Sequence, residues 1–293
     1  MNNRYKAQID DVLHYVYGVV RQDWTMSDSG QFDEAVLIDT LALKACMSKR
    51  NFHLYFKLYT TETVKQFIKR IRLEHALLLI QEGTYTQAEI AERIGLANDT
   101  ALYNIFKKKY DYTPSEYSQL LLSKSVPYEK IEPDYHTIQL QETPVLYLSY
   151  IGNYDQFAVS SFEEDSWEQL YAYANSKDLL PNVEEYWGIC FDDIAITDSD
   201  KCRFYACLTI KSFYNSKLTN PIKCMTIPAG LYAKFLHKGA YAQLDNFYNS
   251  ALDNIPLQYS LGEGFILERY INSPENTPEE QLETEVLLPI IKN

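Results

Sequence analysis

The sequence predicts two domains of different class: an all-α domain carrying two helix-turn-helix units, then an α+β domain of duplicated β-α-β-β units. Three observations predict it. The length, 293 residues, suits two domains of moderate size. The hydrophobic period changes from helical to alternating after Pro133. The charge divides at the same place: residues 1–120 hold 15 Lys+Arg and 15 Asp+Glu, whereas residues 121–293 hold 12 and 25, so the net charge of −13 belongs to the second half. The expected boundaries are 1–120, a linker over 121–133 with Pro127 and Pro133 among charges, and 134–293.

In the first half, Ile9, Val12, Leu13, Val16 and Val20 share one helical face, so a helix is expected over Tyr5 to Gln22. A polar loop, Thr25 to Gln31, precedes a short helix from Asp33 to Leu43. Cys46, Met47 and Ser48 make a turn, and residues 49–58 a further helix with Phe52, Tyr55 and Phe56 inward. A long helix follows over Thr61 to Glu82, stopped by Gly83. Thr86 with Glu89 is a capping-box pair opening the next helix, Gly95 is the left-handed turn residue, and Asn98 or Asp99 caps a last helix with Leu102, Ile105 and Phe106 inward. The two helix pairs repeat one design. Helix pairs of this spacing place their second helix in a DNA major groove, though a plain helical hairpin has the same pattern. The helix between them, at about 1.5 Å per residue, is a rod of about 30 Å, close to the ~34 Å between successive major grooves.

Basic residues cluster on both units despite the neutral total. Arg50, His53, Thr100, Ala101 and Asn104 are the candidate base-facing residues. Lys49, Lys57, Lys107 and Lys108 are candidate phosphate contacts, each of which could equally be an ordinary solvated lysine.

Residues 5–119 resemble the DNA-binding domain of AraC/XylS-type transcription regulators. The resemblance rests on Leu41-Ala42, Met47-Ser48, Phe56-Lys57 and Arg72-Leu73-Glu74-His75-Ala76, then on Glu89-Ile90-Ala91, Ile94-Gly95, Phe106-Lys107-Lys108 and Thr113-Pro114-Ser115-Glu116-Tyr117. It implies double-stranded DNA as partner, bound by a monomer through two grooves, with RNA polymerase as a further partner. The chain departs from the family at Leu96, where a Phe is usual, and at Leu54 and Asn104, where each recognition helix usually has Arg. Asn can bond adenine in bidentate fashion, and Leu can only touch a thymine methyl, so the target sequence is this chain's own.

In the second half, the stretch from His136 to Gly152 alternates as a strand, and Phe162, Trp167, Leu170, Tyr171 and Ala174 follow a helical period. Two strands, YWGICFDDIAIT and RFYACLTIK, meet around Asp198-Ser199-Asp200. The pattern then recurs: residues 231–244 match 146–157, a helix is expected over Tyr241 to Ala251, and strands GFILERYI and ETEVLLPII close the chain. The duplication predicts a pseudo-twofold, in two sheets or one fused sheet with helices on one side, and a cleft between halves. Asp192 and Asp193 are adjacent, so on a strand they would face opposite ways, and a turn role is expected rather than an acid pair.

This half resembles the GyrI-like effector-binding domain found in Rob-type and BmrR-type regulators. The matching residues are Tyr150-Ile151-Gly152-Asn153-Tyr154, Gly188-Ile189, Asp192-Asp193, Ile227-Pro228-Ala229-Gly230, Gly239-Ala240-Tyr241, Leu267-Glu268-Arg269-Tyr270, and the run from Glu283 to Ile290. The resemblance implies a small-molecule pocket, walled by aromatics around a carboxylate, that takes a cationic or amphipathic compound. Glu268 is the matching carboxylate, and Trp187, Tyr150, Phe235, Tyr205 and Tyr270 are candidate walls. Glu268 could instead face solvent or pair with Arg203 or a lysine.

The composition excludes other classes. No run of eighteen apolar residues is present, and the N-terminus lacks an apolar signal core, so no membrane span is expected and the cytoplasm is the expected compartment. Five cysteines without a CxxC pair support neither a zinc site nor a disulfide frame, and five scattered histidines supply no catalytic set. No cofactor, metal or enzymatic activity is expected. The expected function is a ligand-responsive transcription regulator; the alternatives are a GyrI-like hydrolase using a pocket Glu and Tyr, or a sequestering protein with vestigial DNA binding.

Overall fold

The computed structural model describes residues 3–21, 34–123, 133–154, 166–194, 196–212, 218, 221–262 and 264–293. The chain divides into two compact units, Met1–Val126 and Pro127–Asn293. The expected loop Thr25 to Gln31, the linker around Pro127, Asp33 and Phe162 lie outside the described residues.

The first unit is helical: α1 (Asn3–Arg21), α2 (Ile38–Lys44), α3 (Lys49–Thr60), α4 (Val64–Glu82), α5 (Gln87–Arg93), α6 (Asp99–Tyr110) and α7 (Pro114–Ser123). Residues 121–123, expected in the linker, thus continue a helix, opened by Thr113 and Glu116 in reciprocal side-chain and backbone hydrogen bonds. Both helix pairs exist, and they repeat at fifty residues' distance in atomic detail. Ser48 and Asn98 cap α3 and α6 by accepting from the N–H of Asn51 and Ala101. Phe52 and Phe56 in one, Leu102 and Phe106 in the other, are fully buried. Thr61 and Asp111 both end their helices at φ near +60°, donating to the carbonyls of Lys57 and Lys107. The turns differ: the left-handed residue is Gly95 in the second (φ 70°) and Cys46 in the first (φ 51°), where a side chain makes that conformation costlier.

The rod between the pairs is α4, whose 19 residues span about 28 Å. It carries Val64, Phe67, Ile71, Leu73 and Leu77 into the core, where Phe67 meets Phe56 and Tyr17 edge-on. Its first turns are tied to the end of α3 by a buried charge cluster. Arg70 donates to both oxygens of Glu62 at 2.8–3.1 Å and to Glu74 at 2.8 Å. Glu62 lies in the α3–α4 turn, so this cluster fixes α3 against the rod.

The second unit has one sheet that includes β1 (Tyr135–Leu140), β2 (Thr143–Ile151), β3 (Tyr186–Cys190), β4 (Arg203–Thr209), β5 (Lys223–Ile227), β6 (Gly230–Lys238), β7 (Tyr259–Leu261), β8 (Ile266–Tyr270) and β9 (Glu283–Lys292). Helices α8 (Ser166–Ser176) and α9 (Leu244–Asp253) pack on it. The single strand expected over 136–152 is two, broken at Gln141-Glu142. The first residues of the helix expected from Tyr241 are a 3₁₀ turn, Tyr241–Gln243.

The strand order is β1-β6-β9-β8-β3-β4-β2-β5, with β7 added on β9. The order is symmetric about the β8/β3 boundary: β9 answers β4, β6 answers β2, and β1 answers β5. The leading strands are exchanged. β1 precedes β2 in the chain but pairs with β6, and β5 precedes β6 but pairs with β2. In a flat sheet β1 and β2 would lie about 29 Å apart, six strand spacings, yet Leu140 and Thr143 are three residues apart and can reach only about 10 Å. Pro228-Ala229 imposes the same limit between β5 and β6. The sheet therefore curls, and Ile138 and Leu140 of β1 join one core with Met225 and Ile227 of β5.

Removing Arg70 leaves Glu62 and Glu74 side by side without their shared cation. Arg70→Met is expected to destabilise the first unit by about 3–5 kcal/mol, read from denaturant unfolding, whereas the exposed Lys69→Met should stay within about 0.5 kcal/mol. Equal, small effects would show that the cluster does not secure the α3–α4 turn.

Candidate functional site

Two separate surfaces carry the candidate residues. On the first unit, α3 exposes Lys49, Arg50, His53 and Lys57, and α6 exposes Thr100, Asn104, Lys107 and Lys108, with Ala101 half-buried. The inward positions 52, 56, 102 and 106 leave these residues on the outer sides of their helices. Two lysines have local partners: Lys49 pairs with Asp39 at 2.5 Å, and Lys107 donates to the Asp111 carbonyl at 2.7 Å. Exposed pairs of this kind exchange cheaply for a phosphate. The position two before each Phe-Lys pair is outward as well, so Leu54, 54% exposed, occupies the place matching Asn104.

On the second unit, strand pairing sorts the candidate wall residues by face. Glu268 pairs with Gly188 on one side and Val286 on the other. Residues directly opposite share a face, so Glu268, Tyr270, Gly188, Cys190, Phe204, Tyr150, Val286 and Phe235 look toward α8 and α9. Trp187 pairs with Arg269, and Tyr205 with Ile189, on the other face. Tyr205 stacks on Tyr147 with centroids 4.5 Å apart, and Trp187 donates to Glu185 at 2.9 Å. Trp187 and Tyr205 therefore fill the core inside the curl and do not meet Glu268. Phe235 lies beneath α9 with Phe247 and Ala251.

Around Glu268 the structure gathers a compact polar group. Tyr248 of α9 donates to Oε1 at 2.8 Å, Tyr270 to Oε2 at 2.5 Å, and the Cys190 thiol to Oε1 at 3.6 Å. Tyr270 is held edge-on by Trp167 at 5.4 Å and Tyr241 at 5.6 Å. Glu268 is 6% exposed, and among the described residues no cation pairs with it. Arg203 is committed elsewhere, in a two-pronged pair with Asp192 at 2.7–2.9 Å, which also accepts from the Arg203 N–H. Asp193 accepts through its carbonyl from Ile196 and Thr197, so the Asp192-Asp193 step is a turn.

Comparison with known proteins identifies both halves. The GyrI-like small molecule binding domain matches residues 133–291, more than half of the chain. The chain belongs to the GyrI-like family. Ahead of that domain, a helix-turn-helix domain of AraC type matches residues 41–119. Curated relatives match part of the chain. The HTH-type transcriptional regulator AlkR of Acinetobacter baylyi is 28% identical over 38% of this chain and 33% of its own length. The probable transcription factor PqrA of Proteus vulgaris is 29% identical over 30% of this chain and 73% of its own. The chain thus spans about a third of AlkR's length. Among solved structures, the EcmrR C-terminal domain overlays 56% of this chain and 100% of its own at 18% identity and a TM-score of 0.43, too low to bear on function.

Burial pushes the Glu268 carboxyl above the usual carboxylate range, and the hydroxyls of Tyr270 and Tyr248 and the Cys190 thiol offset this only in part. Burial, then the Glu268 charge, raises Tyr248 and Tyr270 well above their ordinary values, and Tyr241 is pushed up to about 12. All three tyrosines are therefore neutral at physiological pH, and Tyr248 and Tyr270 donate to Glu268. Gly188 makes the room: a Cβ there would lie 2.6 Å from the Tyr270 hydroxyl and 2.7 Å from the Phe204 ring. Sequence reasoning missed Tyr248, Cys190, Trp167 and Tyr241 as neighbours of Glu268. Tyr248 had a signal, because Leu244, Phe247, Tyr248 and Ala251 form one apolar stripe.

Glu268 gives a pH test. Its pKa is higher in the folded chain than in the unfolded one, so the unfolded chain releases the proton first, and stability falls as pH rises from about 4 toward the raised folded value. Glu268→Gln removes this slope, and the gap in unfolding temperature should widen in the variant's favour from pH 4 to 7. Parallel curves would show that Glu268 is not a buried, unpaired acid. Gly188→Ala should destabilise by about 1–3 kcal/mol through overpacking, with a change in the near-ultraviolet signal of the displaced aromatics.

Proposed function

We propose that the chain is a one-component transcription regulator: its first half binds duplex DNA as a monomer, through two major grooves, and its second half binds a small cationic or amphipathic compound that controls the first. The observation that carries this reading is a buried carboxylate under aromatic rings, with no cation paired to it among the described residues, in a chain whose other half repeats a helix-turn-helix. An ionised carboxylate in an apolar site is costly unless paired. An entering organic cation supplies the missing charge, and the Trp167, Tyr241 and Tyr270 rings add cation–π attraction. We place Glu268 and Tyr270 as ligand-binding residues with Tyr150 at the edge, and Trp187, Tyr205 and Phe235 in the supporting core.

The DNA half is assigned by its repeated recognition helices, with Arg50, His53, Thr100, Ala101 and Asn104 toward bases and Lys49, Lys57, Lys107 and Lys108 toward phosphates. A rod of about 28 Å is shorter than the ~34 Å between successive major grooves, so binding both grooves bends the duplex. RNA polymerase is a further partner for a regulator bound at a promoter. The matched curated relatives are regulators, and we read the pocket as a receptor and not a catalyst. The cytoplasm is its compartment; no described helix is long and apolar enough to cross a membrane.

Capture of fragmented genomic DNA at two salt concentrations tests the first half. An asymmetric motif of about 20 base pairs should be enriched, with affinity falling steeply with salt in proportion to the phosphates neutralised. For the second half, aromatic quaternary ammonium compounds should bind the full chain at least tenfold better than their neutral carbon isosteres, and Glu268→Gln should abolish the preference. Unchanged affinity in that variant would sink the carboxylate assignment, and turnover of a bound compound would favour an enzyme.

A further inference from the structure

The two recognition helices share one core and present opposite chemistry. Aligned at fifty residues' distance, the outward stripe of α3 reads Arg50, Leu54, Leu58, where that of α6 reads Thr100, Asn104, Lys108. Leu54 is 54% and Leu58 62% exposed. Set four residues apart, they are neighbours on one helical face, and with His53, Lys57 and Thr61 they line one shallow surface hollow. A single exposed leucine is ordinary, but two side by side form a small apolar patch on a helix of twelve residues. The helix around them, KRNFHLYFKLYT, has three cations and no acid.

We propose that α3 reads thymine through its 5-methyl group, with Leu54 and Leu58 as the contacting side chains. This rests on the DNA reading above and deepens it by naming what the first helix selects. Charge decides the occupant. A protein's apolar surface docked here would cover the leucines but strip water from Arg50, Lys57 and His53 without offering an anion. A major groove with thymines on its floor meets both needs, since phosphates flank the groove and the methyl is the one apolar group a base edge presents there. The matching place on α6 holds Asn104, which hydrogen-bonds instead, so the two half-sites differ in kind. One is read by apolar contact and the other by polar contact, on a duplex of fixed direction.

The test uses the full chain and a random 30-base-pair duplex pool. The selected sequence is resynthesised with each thymine replaced in turn by deoxyuridine, which keeps the pairing and removes only the methyl. In one half-site, one or two adjacent replacements should weaken binding about fourfold each, the worth of one buried carbon; replacements in the other half-site should change little. The double variant Leu54→Ala/Leu58→Ala, at two exposed helix positions, should keep the unfolding midpoint and the salt dependence while losing the difference between thymine and deoxyuridine. A selected duplex indifferent to every replacement, or one whose methyl sensitivity survives in the double variant, overturns the proposal and leaves the DNA reading standing. Failure of the wild-type chain to select any duplex at low salt overturns the DNA reading, and the proposal with it.

Discussion

Two short connections shape the second half of this protein. Gln141-Glu142 and Pro228-Ala229 each join strands that stand six places apart in the sheet order, and neither can span more than about 10 Å. The exchange of leading strands between repeats follows from the same fact, because β1 reaches its place beside β6 only if the sheet's ends come round to meet. A flat sheet of this order could not be connected. Curling also resolves a burial problem. The inner face has no helix to cover it among the described elements, yet Val145, Ile189, Leu267 and Leu287 are fully buried there, because the sheet covers itself.

The curl leaves the outer face to α8 and α9, one helix from each repeat, and places the β8/β3 boundary midway between them. Glu268 stands on that boundary opposite Gly188. One repeat thus provides a carboxylate where the other provides empty space, and the space is taken by the Tyr270 hydroxyl and the Phe204 ring. The polar group around Glu268 draws on β3, β8 and α9, with Trp167 of α8 bracing Tyr270. Under the proposed reading, a compound that enters here has to part tyrosine hydroxyls from a carboxylate. It gains only if it brings a charge or hydrogen bonds to replace them.

The DNA half shows duplication of another kind. Caps, buried positions and left-handed ends recur at fifty residues' distance, while the outward residues have diverged. Core positions answer to packing within each unit, where a changed volume costs stability directly. Outward positions have no such constraint and differ freely: leucine against asparagine at 54 and 104, leucine against lysine at 58 and 108. The Arg70 cluster belongs to the first copy. In the second, the equivalent turn leads into α7 instead of a long rod, and Asp111 and Glu116 hold Lys107 there.

What the sequence by itself determined was everything set by local rules. Thr86 with Glu89, Gly95, Asn98 and Gly83 marked helix ends correctly, because capping and left-handed turns depend on residues within one turn of each other. Periodicity gave both domain classes and the internal duplication of each half. Tertiary structure alone decided the pairing of strands and therefore the faces. Tyr150, Tyr205, Trp187 and Tyr270 look alike as aromatic residues on alternating strands, and nothing in their own segments says that Trp187 and Tyr205 turn away from Glu268. That follows from which strand lies beside which and in what register, here the pairing of β3 with β8 across about eighty residues of chain. Tyr248 and Cys190 joined Glu268 for the same reason: contacts between residues twenty and seventy-eight apart exist only after the sheet has closed.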